Sequence, residues 1–313
     1  MLAHIILFLL SSLILAKSSV FLVKEISKIS KLLGLSSFTV GFIVMSFATS
    51  LPETFVGISS ALKGQSALSF GNVIGSIILN TTLIIGIGAV ISKGIKIDRT
   101  VAQKDIFFMN FAATLPIIML WDRVISRIEG GLLLFIFFYH IYRASLEKRD
   151  DDNKYDGEEV KNIVTHGVRF LVGCAFLIGS SEVLVKNAFG LAVDLSIPLV
   201  LVGLFALAIG TSLPELSFQI TTVLKKRPGI GFGNILGSVI TNSLFVLGLT
   251  SVISPIVLTQ TTIFVVSSFF LIGALGIFTT FLRSDRKLSL DEGLGLILLY
   301  LVFVVLEFSL ERV

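Results

Sequence analysis

Thr49-Ser50-Leu51-Pro52-Glu53 and Thr211-Ser212-Leu213-Pro214-Glu215 are one pentapeptide written twice, 162 residues apart, each inside a long apolar run. The agreement spreads outward without a gap: residues 41–86 align with 203–248, and 17 of the 46 positions are identical. Gly71-Asn72 returns as Gly233-Asn234, Gly75-Ser76 as Gly237-Ser238, and Asn80 as Asn242. Farther back, Ser18-Ser19 returns as Ser180-Ser181 and Lys24 as Lys186. Shared apolar composition does not produce such a match, so the chain carries an internal duplication.

The runs around the repeats are those of a membrane protein. The 313 residues are 54% hydrophobic and 15% charged, with mean hydropathy +0.96, whereas charged side chains make up about a quarter of a soluble chain. At ~20 apolar residues per spanning helix, ten spans use ~200 residues and leave the rest for connections. Continuous apolar stretches, not alternating ones, disfavour a transmembrane barrel. A lone Cys174 excludes an internal disulfide and reads as a packing residue. The net charge of +4 gives no support for nucleic acid as a partner; in a bilayer, Lys and Arg report orientation first.

The expected fold is an all-α bundle of ten transmembrane helices near 2–23, 38–62, 70–92, 103–121, 128–145, 164–187, 198–224, 231–254, 260–282 and 289–310. The first lacks the cationic start and cleavage site of a signal peptide and is kept as a span. The chain divides into a first five-helix repeat (1–146), an acidic linker (147–163) rich in Asp and Glu, and a second repeat (164–313). The linker reads as solvated and lacks the ligand-glycine-ligand spacing of a calcium loop.

Five helices separate equivalent positions, and five is odd. Each helix therefore crosses the membrane opposite to its twin, which is the inverted architecture of secondary transporters. Connections on one side hold nineteen Lys and Arg against five on the other, which places both termini outside and the linker in the cytoplasm. The basic clusters serve this topology before any lipid-specific role.

Glu53 and Glu215 sit in mid-membrane apolar helices, where a carboxylate needs a cavity and partners. Pro52 and Pro214 lack the N–H that would bond the carbonyls of Ala48 and Gly210, so helices 2 and 7 are expected to be discontinuous, with freed carbonyls. Thr49 and Ser50 precede Glu53 by four and three residues, on the same face, as Thr211 and Ser212 precede Glu215. Asn72, Ser76 and Asn80, spaced by four, form a polar stripe, as do Asn234, Ser238 and Asn242. Gly71, Gly75, Gly233 and Gly237 run beside the stripes and read as packing devices for close helix approach.

Carboxylates, hydroxyls, amide oxygens and carbonyls without His or Cys suit a hard cation; Ca²⁺ takes six to eight such oxygens, and Mg²⁺ is the harder alternative to separate. His4, His140 and His166 lie outside the motifs, against Zn²⁺ or Cu²⁺. Structural duties compete for the same residues: Asn can bridge helices, and Ser and Thr can bond their own backbone. Glu182 reads as interfacial, and Lys17 as a snorkelling side chain.

At these motifs the chain resembles the cation/calcium exchanger superfamily, whose mark is two inverted repeats with a G-T-S-L-P-E helix followed by a G-N-x-x-G-S helix; its short linker resembles prokaryotic members. The resemblance implies Glu53 and Glu215 as central Ca²⁺ carboxylates, Thr49 and Thr211 as backbone-carbonyl ligands, and Ser50, Ser76, Ser212 and Ser238 at flanking cation sites. It also implies that helices 1 and 6 slide together across the other eight. Two positions depart from the pattern: Ala48 replaces the motif glycine that Gly210 keeps, implying a slightly stiffer first break, and Asn242 stands where many sodium/calcium members carry Asp.

Two Glu neutralise one Ca²⁺ or two protons, and adjacent carboxylates repel once Ca²⁺ leaves. Ca²⁺/H⁺ antiport by alternating access, with Glu53 and Glu215 carrying the protons, is the reading this favours, and Na⁺/Ca²⁺ exchange on the same site is the alternative. A cation channel would also line a path with polar groups, but discontinuous helices in inverted halves favour a carrier. An intramembrane hydrolase would need a nucleophile with a base, or a metal with His ligands; Ser and Glu here are duplicated, and the motifs hold no His. No cofactor is expected beyond the transported ions, the partner is the lipid bilayer, and one chain is a complete unit.

Overall fold

The computed structural model describes residues 1–32, 40–96, 103–146, 163–226, 228–283 and 287–310. The acidic linker lies outside the described residues, apart from Ile163, where the next helix begins.

Among the described residues, ten helical elements follow one another in two sets of five. The first set is α1 (Leu2–Leu32), α2 (Val40–Met45, Ser46–Thr49 and Leu51–Leu62), α3 (Ser66–Ser92), α4 (Gln103–Met119, tightening to a 3-10 turn over Leu120–Asp122) and α5 (Arg127–Leu146). The second is α6 (Ile163–Leu195), α7 (Leu199–Thr211 and Leu213–Leu224), α8 (Pro228–Ile253), α9 (Thr261–Arg283) and α10 (Leu290–Leu310). Seven described helices are long and apolar enough to cross a bilayer, and the bent pairs of α2 and α7 bring the number to nine. The tenth, α5, is 20 residues long, but its Tyr139, His140, Tyr142 and Arg143 make it less apolar.

Several boundaries outrun the apolar runs that suggested them. α1 continues past residue 23 to Leu32 and α6 past 187 to Leu195, because a charged residue ends an apolar run without ending a helix. α3 begins at Ser66, four residues before its expected start, since Ser66 and Ser69 are buried inside the bundle. α5 and α10 begin alike: Ser126 and Glu129 form a reciprocal cap, with Ser126 N–H donating to Glu129 Oε2 (2.8 Å) and Glu129 N–H to Ser126 Oγ (3.3 Å). Ser289 and Glu292 repeat it at 2.7 and 3.2 Å.

Among the described residues, four short strands tie the halves together. β1 (Ile95–Lys96), after α3, pairs antiparallel with β4 (Lys287–Leu288), before α10. β2 (Val124–Ile125), between α4 and α5, pairs with β3 (Ile256–Val257), after α8. Each ladder joins one strand from either half.

α1 and α6 lie antiparallel along their length, as an inverted repeat requires. Leu15 and Leu22 of α1 and Leu177, Leu184 and Ala188 of α6 are buried in one apolar cluster. Both ends are clasped by a histidine. His4 Nδ1 is 2.7 Å from Asp194 Oδ2, an oxygen that also meets the Met1 amino group, and His166 Nδ1 bonds Glu25 Oε2. His4 and His166 are themselves 162 residues apart.

Candidate cation-binding site

The centre of the bundle is made of four elements that cross between halves: α2 packs on α8, and α7 packs on α3. Close approach depends on glycine. A methyl group at Gly71 would sit 2.2 Å from the Val200 carbonyl oxygen, at Gly75 2.1 Å from that of Leu204, and at Gly237 2.2 Å from that of Phe42. Gly233 is looser, its nearest neighbour 3.7 Å away.

Both proline-bearing helices break where the sequence places the break. α2 bends by 46° and α7 by 41°, at Ser50 (φ −82°, ψ 4°) and Ser212 (φ −87°, ψ 6°). Both residues occupy the sparsely allowed bridge region, common among residues at functional sites. Ala48 does not straighten the first break, which bends as far as the glycine-bearing one. The expected release of carbonyls is only partly realised: backbone N–H groups at the first break bond the carbonyls of Ser46 and Ala48, because the chain tightens there. At the second, the Ser212 N–H bonds Ala208, two residues before Gly210.

The winding changes four more times near the motifs. Val40–Met45 and Val202–Leu207 are π-helical just before the breaks, and Asn80–Ile84 and Thr241–Val246 are π-helical at the last Asn of each stripe. Such wide turns are rare and concentrate at functional sites.

All twelve residues singled out from the motifs are buried. Thr49 Oγ1 donates to Asn234 Oδ1 at 3.2 Å and shares a 3.2 Å hydrogen bond with Ser238 Oγ, across the halves. In mirror fashion Thr211 Oγ1 donates to Asn72 Oδ1 at 3.1 Å; the symmetry stops there, for Ser212 Oγ donates to Ser76 Oγ at 3.1 Å while its twin Ser50 Oγ has no partner. Ser76 Oγ in turn donates to Glu53 Oε1 at 3.4 Å. Ser76 thus links Glu53 to Ser212 of the opposite half.

Several of these oxygens have coordinating capacity left. Ser50 Oγ, Glu53 Oε2, both carboxylate oxygens of Glu215, and the amide oxygens of Asn80 and Asn242 have no hydrogen-bond partner. Buried carboxylates without cationic side chains beside them are costly on their own; a dehydrated cation among them supplies the missing charge, so the donor set fits such an ion.

Glu182 is exposed, and its backbone carbonyl accepts Lys63 Nζ at 2.9 Å. Lys17 is exposed beside Lys24 in a shallow groove between α1 and α7. Gln219, one turn beyond Glu215, is fully buried with neither end of its amide partnered. The motifs did not point to it, although the signal was present: at the constant offset its twin is Gly57.

Inverted halves, two broken helices and a buried oxygen-rich centre define a membrane cation exchanger. Comparison with known proteins places it more narrowly. The profile of the sodium/calcium exchanger protein family matches residues 3–145 and again 166–309, and the chain belongs to that family, one of transporters and not of enzymes. Sodium/calcium exchanger MaX1 of Methanosarcina acetivorans is 25% identical over 97% of this chain and 98% of its own length. Inner membrane protein YrbG of Escherichia coli is 32% identical over 75% of each chain. Among solved structures, the sodium-calcium exchanger NCX_Mj soaked with Na⁺ and Sr²⁺ superposes with a TM-score of 0.68 at 25% identity, covering 97% of this chain and 98% of that one.

Proposed function

We propose that the protein exchanges Ca²⁺ for protons across its membrane by alternating access, with Glu53 and Glu215 as the ligands common to both ions. The observation that carries this reading is the pair of fully buried carboxylates, one on each broken helix, set among neutral oxygens that cross between the halves. Two negative charges are balanced equally by one Ca²⁺ or two protons. Asn80 and Asn242 keep the rest of the site neutral, so no third carboxylate adds charge for further cations. Thr49, Thr211, Ser50, Ser212, Ser76, Ser238, Asn72 and Asn234 complete the donor set, the two threonines serving Ca²⁺ through their carbonyls.

Sodium/calcium exchange at the same site is the second reading, favoured by the likeness to MaX1 over nearly the whole chain. Uptake of labelled Ca²⁺ into proteoliposomes separates the two. A pH gradient is expected to drive it without Na⁺; flux driven by a Na⁺ gradient at equal pH overturns the proton reading.

The chain works as two units, 1–146 and 164–313, with the linker at 147–163 cytoplasmic and both termini outside, as the Lys and Arg distribution supports. A single chain supplies both carboxylates, so a monomer suffices.

A further inference from the structure

The two halves diverge one helical turn beyond each glutamate. Beyond Glu53 stands Gly57, where a methyl group would meet Thr250 Oγ1 at 2.7 Å and Ser69 Oγ at 3.1 Å. Those hydroxyls satisfy each other across 3.0 Å. At the positions 162 residues away the arrangement is exchanged: Gln219 takes the place of Gly57, and glycines 88 and 231 take the places of Thr250 and Ser69.

Gln219 fills the space those glycines leave. A methyl group on Gly88 would sit 2.5 Å from Gln219 Nε2, and one on Gly231 would sit 2.4 Å from Gln219 Oε1 and 2.2 Å from Thr222 Oγ1. Two oxygens therefore crowd one point over Gly231. Thr222 Oγ1 donates its proton to the Gln219 backbone carbonyl (2.9 Å), which leaves its lone pairs available. The Gln219 side chain is fully buried with donor and acceptor both unmet, a state that destabilises the fold and that an apolar residue of similar shape would relieve. It lies on the same face of α7 as Glu215, four residues on.

We propose that Gln219 Oε1 and Thr222 Oγ1 form a secondary cation station between Glu215 and the Leu224 end of α7, with no counterpart in the first half. The transported cation, shedding water in steps, exchanges hydration oxygens for these two before it reaches the carboxylates. The inference rests on the Ca²⁺ exchange proposed above.

The test is saturable Ca²⁺ uptake by the reconstituted full chain, with melting of the purified protein measured in parallel. Gln219→Met keeps the shape and removes the oxygen; it is expected to raise KM for Ca²⁺ several-fold while Tm stays level or rises. Gln219→Glu retains an oxygen and is expected to hold KM at or below the parent value. A Met variant with unchanged KM overturns the station, as does a Glu variant impaired as much as the Met variant. If the parent protein shows no saturable Ca²⁺ flux under either a pH or a Na⁺ gradient, the exchange reading fails and the station with it. Parent flux with an indifferent residue 219 removes the station alone.

Discussion

The central helices α3 and α8 and the outer pair α1 and α6 are built from equally apolar sequence and are held in opposite ways. The spans of α3 and α8 are 78% and 83% buried, against 39% and 33% for α1 and α6. In the centre, backbone meets backbone over glycine, and hydroxyls and amides cross between halves. At the periphery, one long apolar seam is closed by a histidine at either end. The first arrangement leaves no room for a methyl group between facing backbones; the second joins two helices through side chains, in an apolar cluster that also takes in Leu51, Leu68, Val202 and Leu207 of the central helices. Hydropathy is blind to that difference, and the placement of glycine and polar residues records it.

The largest effect expected is at the centre. Glu53→Gln and Glu215→Gln should each reduce Ca²⁺ uptake to that of empty liposomes while the protein still inserts, because either change removes a charge from a site with only two. Retained flux in either variant would take that residue out of the site.

Next comes the boundary between the two regions. A methyl group on Gly210 would lie 3.6 Å from Ser12 Cβ, within the ~3.5–4.5 Å span of a disulfide. In a Cys174→Ser background, Ser12→Cys with Gly210→Cys should stop exchange on oxidation and recover on reduction, since it pins α1 to α7. Leu22→Cys with Gly173→Cys, within the outer pair, should leave exchange intact when oxidised. Equal inhibition by both bridges would refute the idea of one sliding body.

Smaller changes sharpen the packing contrast. Gly75→Ala and Gly237→Ala force a methyl group against a carbonyl oxygen and should cost about 1–3 kcal/mol in detergent unfolding, whereas Gly233→Ala, with its nearest neighbour at 3.7 Å, should be close to neutral. His4→Ala should likewise change stability little, because the pair with Asp194 is exposed. His166→Ala removes one partner of the buried Glu25 and leaves it Lys28 Nζ at 3.5 Å; it should cost more than His4→Ala.

Most of the centre was legible in the sequence because the internal duplication wrote it twice. The breaks at Ser50 and Ser212, the buried stripes on α3 and α8 and the burial of both glutamates all follow from spacing. What escaped had no local pattern. The π-helical turns, two in the broken helices and two in α3 and α8, carry no residue pattern that marks them. The strand ladders are two residues long and pair across the halves. Helix ends at Leu32 and Leu195 continue through charged residues that hydropathy takes for boundaries. Gln219 and the His4 and His166 clasps were visible only as a mismatch and a match at one offset, and their surroundings belong to other helices.

The ladders carry a lesson about origin. β1 finds its partner in β4 and β2 in β3, so a five-helix chain alone would expose an open edge at each end, and a second copy inserted upside down would cover both at once. Two copies of one gene product must change together, so a residue useful on one side of the membrane would appear on the other. Fusion lifts that restriction. Gln219 facing two glycines in one half, and Gly57 facing two hydroxyls in the other, is a division of labour that a homodimer could not have encoded.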